Sequence, residues 1–213
     1  RITYTPLHGV GAVLAERALQ SAGFHSVETI AEQRLPDGDF PTVSFPNPEE
    51  PGAMQQVLDR AKEIDAELAC ANDPDADRLA VAVRQRPGKY IRLTGDQVGV
   101  LLGAERIEHA GSDAVVGNSI VSSRMLGVIA RRAGVDHYDC LTGFKWIAHV
   151  GMQHEQQGKQ LLFGYEEALG YAIGDKVRDK DGISALVAFC ELAAHCAERR
   201  MTVLDRLEEL YRE

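Results

Sequence analysis

From its N-terminus the chain switches repeatedly between short apolar runs and stretches with helical spacing. Arg1–Thr5 is a β-like run stopped by Pro6. Gly9 and Gly11 open a helix predicted over Ala12–Ala22, with Gly23 as its C-terminal stop. Val27–Ile30 reads as a second strand. Residues 34–51 hold Pro36, Gly38, Pro41, Pro46, Pro48 and Pro51, which predicts a long loop without regular structure. Met54, Val57, Leu58 and Ala61 recur at helical spacing within Gly52–Ile64. Leu68–Ala71 and Leu79–Val83 read as short strands around an acidic loop at 72–78, and Arg84–Lys89 as a turn. The pattern then restarts. Helices are predicted over Gln97–Glu108, Ser123–Ala133, Phe144–Gln157, Asp181–Arg199 and Val203–Arg212. Strands are predicted over Ala114–Val116, Asp136–Leu141 and Leu161–Tyr165. Strands and helices alternating through short connections indicate parallel βαβ units in layers. Residues 1–93 and 94–213 form two such blocks. They predict an α/β protein of two similar domains in tandem, with mixed or parallel sheets and a joint near Leu93–Asp96.

Composition narrows the field. A chain of 213 residues, 45% hydrophobic and 26% charged, can bury a core without disulfides or a structural metal. Net charge is −9, and residues 1–93 and 94–213 carry −4 (10 basic, 14 acidic) and −5 (13 basic, 18 acidic). A negative charge spread this evenly argues against nonspecific nucleic-acid binding, which needs a basic stripe. No apolar run approaches the roughly 18–20 residues of a membrane span, and no basic-then-apolar signal segment opens the chain. Cys70, Cys140, Cys190 and Cys196 form no C-x-x-C pair and lie in apolar surroundings, so a reduced, cytoplasmic protein is expected. The chain starts at Arg1, directly on a strand, and is expected to be a piece of a longer one.

Five stretches offer chemistry. In Asn72-Asp73-Pro74-Asp75-Ala76-Asp77-Arg78, three carboxylates alternate after a buried strand. A hard divalent cation would relieve their repulsion and take oxygen from each, and Arg78 could hold a phosphate beside it. The alternative is a solvated acidic turn. An EF-hand is disfavoured, because Arg78 and Val83 stand where that loop needs glycine and glutamate. In Phe163-Gly164-Tyr165-Glu166-Glu167-Ala168-Leu169-Gly170-Tyr171, adjacent glutamates at a strand end either accept hydrogen bonds from vicinal hydroxyls or cap a turn. Thr142-Gly143-Phe144-Lys145-Trp146 is a tight turn with a cation behind it. Trp146 is expected in the core, while Lys145 reads equally as functional or as solvated surface. Thr5–Gly11 is a glycine-bearing strand-to-helix loop that could offer backbone N–H groups to an anion. It lacks the third glycine and the acidic partner of a dinucleotide site, and His8 reads as structural or catalytic. Lys176–Gly182 is a mixed-charge loop before a long helix, by default a solvated cap, whose cations could meet an anionic substrate.

Taken in this order, the motifs resemble the α-D-phosphohexomutase family of phosphoglucomutases, phosphomannomutases and relatives. The resemblance covers nearly the whole chain and matches the second and third of the family's four domains. It implies that Asp73, Asp75 and Asp77 bind Mg²⁺ and that Arg78 lies near the reacting phosphate. It further implies that Glu166 and Glu167 contact sugar hydroxyls and that Thr142, Gly143 and Lys145 form a third-domain loop of the phosphoglucomutase branch. That branch includes phosphopentomutases, and Thr5–Gly11 (with His8 and Gly9) and Arg178–Gly182 match it as well. The implied reaction is an intramolecular phosphoryl transfer between a hexose 1-phosphate and a hexose 6-phosphate. It runs through a Mg²⁺-bound phosphoserine and a sugar bisphosphate that turns end for end. The implied substrates are glucose or mannose phosphates, with pentose phosphates as the alternative. The sugar loop differs from that of glucosamine-phosphate mutases. Pro74 and Ala76 replace the usual glycines of the metal loop, Ala168 replaces a serine of the sugar loop, and Asn118 aligns with a lysine. The phosphoserine loop of the first domain and the phosphate-clamping loop of the fourth are outside this chain, so the chain alone is not expected to turn over. The competing expectation is a noncatalytic α/β module with a structural cation site.

Overall fold

The structure, a computed structural model, describes residues 1–212. It divides into two compact units, Arg1–Leu93 and Thr94–Glu213.

The first unit is built on five strands: β1 (Ile2–Thr5), β2 (Val27–Thr29), β3 (Leu68–Ala71), β4 (Ala80–Arg86) and β5 (Lys89–Arg92). They lie in the order β2-β1-β3-β4-β5. β1 runs parallel to β2 and β3, and β4 and β5 are antiparallel. β1 and β3 are buried along their whole length, so both read as apolar or small-residue runs, as strands covered on two faces do. Helices α1 (Ala12–Ser21) and α2 (Gln55–Ile64) complete the layers, and a single 3-10 turn covers Ala31–Gln33. Residues 34–52 are irregular but tied down at several points.

One expectation is corrected in this unit. Arg84–Lys89 is a hairpin, not only a turn: β4 continues to Arg86 and β5 returns from Lys89, with Pro87 and Gly88 between them. The polar run Arg84-Gln85-Arg86 lies on the exposed half of β4 and pairs with an edge strand. Such residues suit a protected sheet edge but carry no apolar alternation.

The second unit has four strands, β6 (Ala114–Ser119), β7 (Asp136–Cys140), β8 (Gln160–Glu166) and β9 (Gly170–Ile173), in the order β7-β6-β8-β9. The first three are parallel, and β9 folds back antiparallel on β8, with Glu166 opposite Gly170. β9 was not anticipated, because Gly170–Ile173 is too short to show a period. Helices α3 (Gly95–Glu108), α4 (Met125–Ala133), α5 (Phe144–Gln156), α6 (Gly182–Glu198) and α7 (Val203–Arg212) surround the sheet. A reciprocal cap starts α3: Thr94 Oγ1 accepts from Gln97 N–H at 3.2 Å, and Gln97 Oε1 accepts from Thr94 N–H at 2.9 Å. Asp181 caps α6 by accepting from Ile183 N–H. No helix among the described residues is long and apolar enough to cross a membrane.

Candidate metal and sugar sites

The acidic loop leaves β3 at Asn72, which is fully buried. Asn72 Oδ1 accepts from the Tyr4 hydroxyl at 2.8 Å, and its Nδ2 donates to the Arg78 carbonyl at 2.6 Å. One side chain thus spans the loop and pins both of its ends to the sheet. Inside the ring, Ala76 N–H donates to the Asp73 carbonyl and Arg78 N–H to Asp73 Oδ1 at 3.0 Å. These bonds turn the Asp73, Asp75 and Asp77 carboxylates together, with one oxygen of each within 4.8 Å of the others. Asp73 is buried, Asp77 half-buried and Asp75 exposed. Burial pushes the Asp73 carboxyl up to about 6, and the neighbouring charges of Asp77 and Asp75 add to this against the opposing Arg78 N–H. Arg78 Nε stands 3.5 Å from Asp73 Oδ2 and 3.9 Å from Asp77 Oδ1. An all-oxygen, anionic donor set held this closely fits a hard divalent cation.

The loop at Thr5–Gly11 abuts this ring. Four of its N–H groups, those of Leu7 to Val10, already have protein acceptors, so His8 and Gly9 do not offer theirs to an anion. Leu7 N–H donates to Thr5 Oγ1, His8 N–H to the Gln33 carbonyl, Gly9 N–H to the Pro6 carbonyl and Val10 N–H to the Pro74 carbonyl. His8 is buried, in a left-handed conformation (φ 61°), with Nε2 2.8 Å from Thr42 Oγ1. Gln33 Nε2 donates to the same hydroxyl, and Asp37 N–H donates to the His8 carbonyl. His8 therefore anchors the proline-rich loop. Gly9 packs on the metal loop so tightly that a Cβ would lie 2.3 Å from Pro74 Cα.

In the second unit Glu166 closes β8 and is almost wholly buried. Its Oε1 accepts the Gly143 N–H at 2.6 Å. Gly143 has φ 111°, a conformation that side chains strain to adopt. Glu167 points elsewhere. Its Oε2 accepts from the Ser122 hydroxyl at 2.8 Å and the Ser119 hydroxyl at 3.1 Å, while its own N–H donates to Ser122 Oγ at 3.0 Å. Adjacent residues of an extended segment face opposite ways, and here one carboxylate holds the Gly143 turn while the other holds the segment after β6. Lys145 is exposed, its Nζ 5.7 Å from the centre of the Trp146 ring. Trp146 is 39% exposed, which corrects its expected core position. Thr142 and Ala168 are exposed beside these groups.

Arg178 is not gathered with them. It pairs with Glu155 near the C-terminus of α5, Nη1 to Oε1 2.8 Å. Lys180, another cation of the Lys176–Gly182 loop, runs against Gly170 instead: a Cβ there would come 2.4 Å from Lys180 Cδ. Ser119 and Ser122 were also missed. Their signal was a run of hydroxyls directly after a parallel strand, where such folds place ligand contacts. Asn118 is buried and wholly engaged, donating to the Ser119 carbonyl and to Asp139 Oδ1 and accepting from His137 Nε2.

Two family models match the chain, phosphoglucomutase/phosphomannomutase α/β/α domain II at residues 1–88 and domain III at 94–213. A curated protein of Haemophilus influenzae described as a probable phosphomannomutase is 44% identical over 212 residues, covering 99% of this chain and 42% of that protein. The phosphopentomutase of Mus musculus is 38% identical over 221 residues, covering 99% of this chain and 36% of the relative. The chain thus spans less than half the length of these relatives. A crystal structure of a phosphoglucomutase/phosphomannomutase family protein from Burkholderia thailandensis superposes with a TM-score of 0.76 at 22% identity, over 98% of this chain and 42% of that one. With the two family models matching nearly its whole length, the chain belongs to the phosphoglucomutase/phosphomannomutase family and comprises its α/β/α domains II and III.

Proposed function

We propose that this chain is the metal- and sugar-binding part of a phosphosugar mutase that interconverts a hexose 1-phosphate and a hexose 6-phosphate. The observation that carries the reading is the convergence of Asp73, Asp75 and Asp77 beside Arg78 in a member of this family. These carboxylates would hold Mg²⁺, which when bound withdraws negative charge from a phosphoryl group. Arg78 is in place to pair with phosphoryl oxygens. Its guanidinium presents a planar fork, and the carboxylates near it would turn to the cation. Asn72 and Gly9 keep the loop in the shape that presents it.

The sugar would be met in the second unit. Glu166 Oε1 is committed to Gly143, which leaves Oε2 to accept a sugar hydroxyl. Lys145 and Lys180 supply cations near the same strand end. In this reading Glu167 acts by holding the loop, since its carboxylate already binds two hydroxyls. In this reading Thr142 and Gly143 contribute the shape of the turn, and Arg178, paired with Glu155, is assigned no substrate contact. The whole protein would work in the cytoplasm on glucose or mannose phosphates, together with flanking domains that supply the phosphoserine and the phosphate clamp.

A pentose phosphate is the second reading. It is favoured by the phosphopentomutase relative, which is 38% identical along 99% of the chain. Activity of the full-length protein on glucose 1-phosphate, mannose 1-phosphate and ribose 1-phosphate, with and without Mg²⁺, separates the two. Loss of all three activities in Asp75→Asn would support the metal assignment, and full Mg²⁺-dependent activity in that variant would refute it.

A further inference from the structure

Between α4 and the edge strand β7 lies a cavity of about 360 Å³, lined by Ser122, Arg124, Arg131, His137 and Asp139 with Ile120 as an apolar wall. Three features suit it to an oxyanion. Neither Arg124 nor Arg131 has a side-chain hydrogen bond or ion pair among the described residues, in a protein whose net charge is −9. Guanidinium groups left without a carboxylate partner in so acidic a chain are open to an oxyanion. His137 is held in one orientation. Both amide hydrogens of Asn118 are engaged, at 2.8 Å to the Ser119 carbonyl and 3.1 Å to Asp139 Oδ1, so Asn118 Oδ1 must accept from His137 Nε2–H at 2.7 Å. The one acidic lining group, Asp139, is already bonded to Asn118 and lies 3.8 Å from His137.

We propose that this cavity is a phosphate-monoester site. Its phosphoryl oxygens would bind the Arg124 and Arg131 forks beside His137, and its organic part would lie against Ile120. The space exceeds that needed by a lone oxyanion. The α4 face supplies Arg131 and the segment before it Arg124, β7 supplies His137 and Asp139, and β6 supplies the neutral Asn118. Positive groups therefore outnumber negative ones around the ligand. Burial and the Arg131 charge hold the His137 imidazole below its ordinary range, with Asp139 opposing them. Ser122 is the one lining residue that also binds Glu167, so a ligand here lies one side chain from the sugar loop.

The test follows the His137 ring resonances and binding heats as ribose 5-phosphate, and separately inorganic phosphate, are titrated into metal-free protein. The site predicts a saturable shift at His137, with ribose 5-phosphate binding more tightly. Arg124→Gln and Arg131→Gln should each weaken it about tenfold, the loss expected for one charge-assisted bond, with an unchanged amide spectrum as the folding control. Arg131→Lys keeps the charge without the fork and should recover part of the affinity. Asp75→Asn and Glu166→Gln should leave the His137 shift intact, which separates this site from the metal and sugar loops. Absence of a saturable shift, equal affinity for the two probes, or a shift that survives both arginine substitutions would overturn it.

Discussion

The buried carboxylate of Glu166 and the backbone of Gly143 are joined by a 2.6 Å hydrogen bond, the N–H donating to Oε1. This bond links the end of β8 to the turn that starts α5, and it fixes which carboxylate oxygen faces outward. Glu166→Gln can keep the Gly143 contact through its amide oxygen but loses the negative charge. If Glu166 accepts a sugar hydroxyl, the lost charge-assisted bond is worth about 1.5–3 kcal/mol, or roughly 10- to 150-fold in kcat/KM of the full-length enzyme. Glu166→Ala should in addition speed hydrogen exchange at the Gly143 amide. Unchanged kcat/KM in Glu166→Gln would remove the sugar-binding role.

Gly11 and Ala76 meet behind the metal loop. A Cβ on Gly11 would lie 2.6 Å from the Ala76 methyl, and Ala76 has a left-handed backbone (φ 59°). Gly11→Ala should therefore destabilise by about 1–3 kcal/mol through overpacking. Ala76→Gly relieves a left-handed alanine, whose strain is roughly 1–2 kcal/mol, and gives back part of that in unfolded-chain entropy. The double variant should recover most of the Gly11→Ala loss. Thermal melts in a double-mutant cycle measure this coupling, and strictly additive losses would contradict the contact.

Ser122 both donates to the Glu167 carboxylate and accepts its N–H. Ser122→Ala leaves that N–H without its partner, which costs about 1–3 kcal/mol where the group stays buried. The same change should raise hydrogen exchange at Glu167. Glu167→Gln should cost less, because an amide oxygen still accepts from Ser119 and Ser122. A Glu167→Gln enzyme whose kcat/KM falls as far as that of Glu166→Gln would show that Glu167 meets substrate directly.

The helices and central strands were legible because their apolar residues keep one period. Val57, Leu58 and Ala61 mark α2, and β3 is a short continuous apolar run. The acidic loop was legible because its three carboxylates are close in sequence as well as in space. What pairs at the edges was not. Arg84-Gln85-Arg86 and Lys89–Arg92 form a hairpin through backbone bonds that no side-chain pattern reports. Trp146 looked like core by residue type, yet it lies exposed on the first turn of α5 beside Lys145. The internal use of the Leu7–Val10 amides depends on Gln33 and Pro74, which are distant in sequence. The Ser119–Ser122–Glu167 network likewise joins residues more than forty positions apart.

Glu16 and Arg34 offer a pH test in the first unit. Both carboxylate oxygens accept from the guanidinium, at 2.8 and 2.7 Å, and Thr29 donates to one of them. The Arg34 hydrogen bonds hold the Glu16 carboxyl below its usual 4.5, against burial and with help from Thr29. A folded-state value below the unfolded one stabilises at any pH above the unfolded value. That stability is lost as pH falls through the folded value. Both groups are partly exposed, so the contribution is at most about 1 kcal/mol. Glu16→Gln should be slightly less stable than wild type at pH 7, and the two should converge in strong acid. A difference that grows on acidification would contradict this sign.

The central claim is that Asp73, Asp75 and Asp77 form a cation site, and Mg²⁺ titration of wild type against Asp75→Asn tests it most directly. Exposed Asp75 can be changed without disturbing the buried Asp73 or the Asn72 bridge, so both proteins should fold alike. The site predicts saturable chemical-shift changes confined to residues 72–78 in wild type. Mg²⁺ at ten times its dissociation constant should add about 1.4 kcal/mol of stability, and both effects should be strongly weakened in Asp75→Asn. Identical, featureless titrations of the two proteins, with no gain in melting temperature, would contradict it.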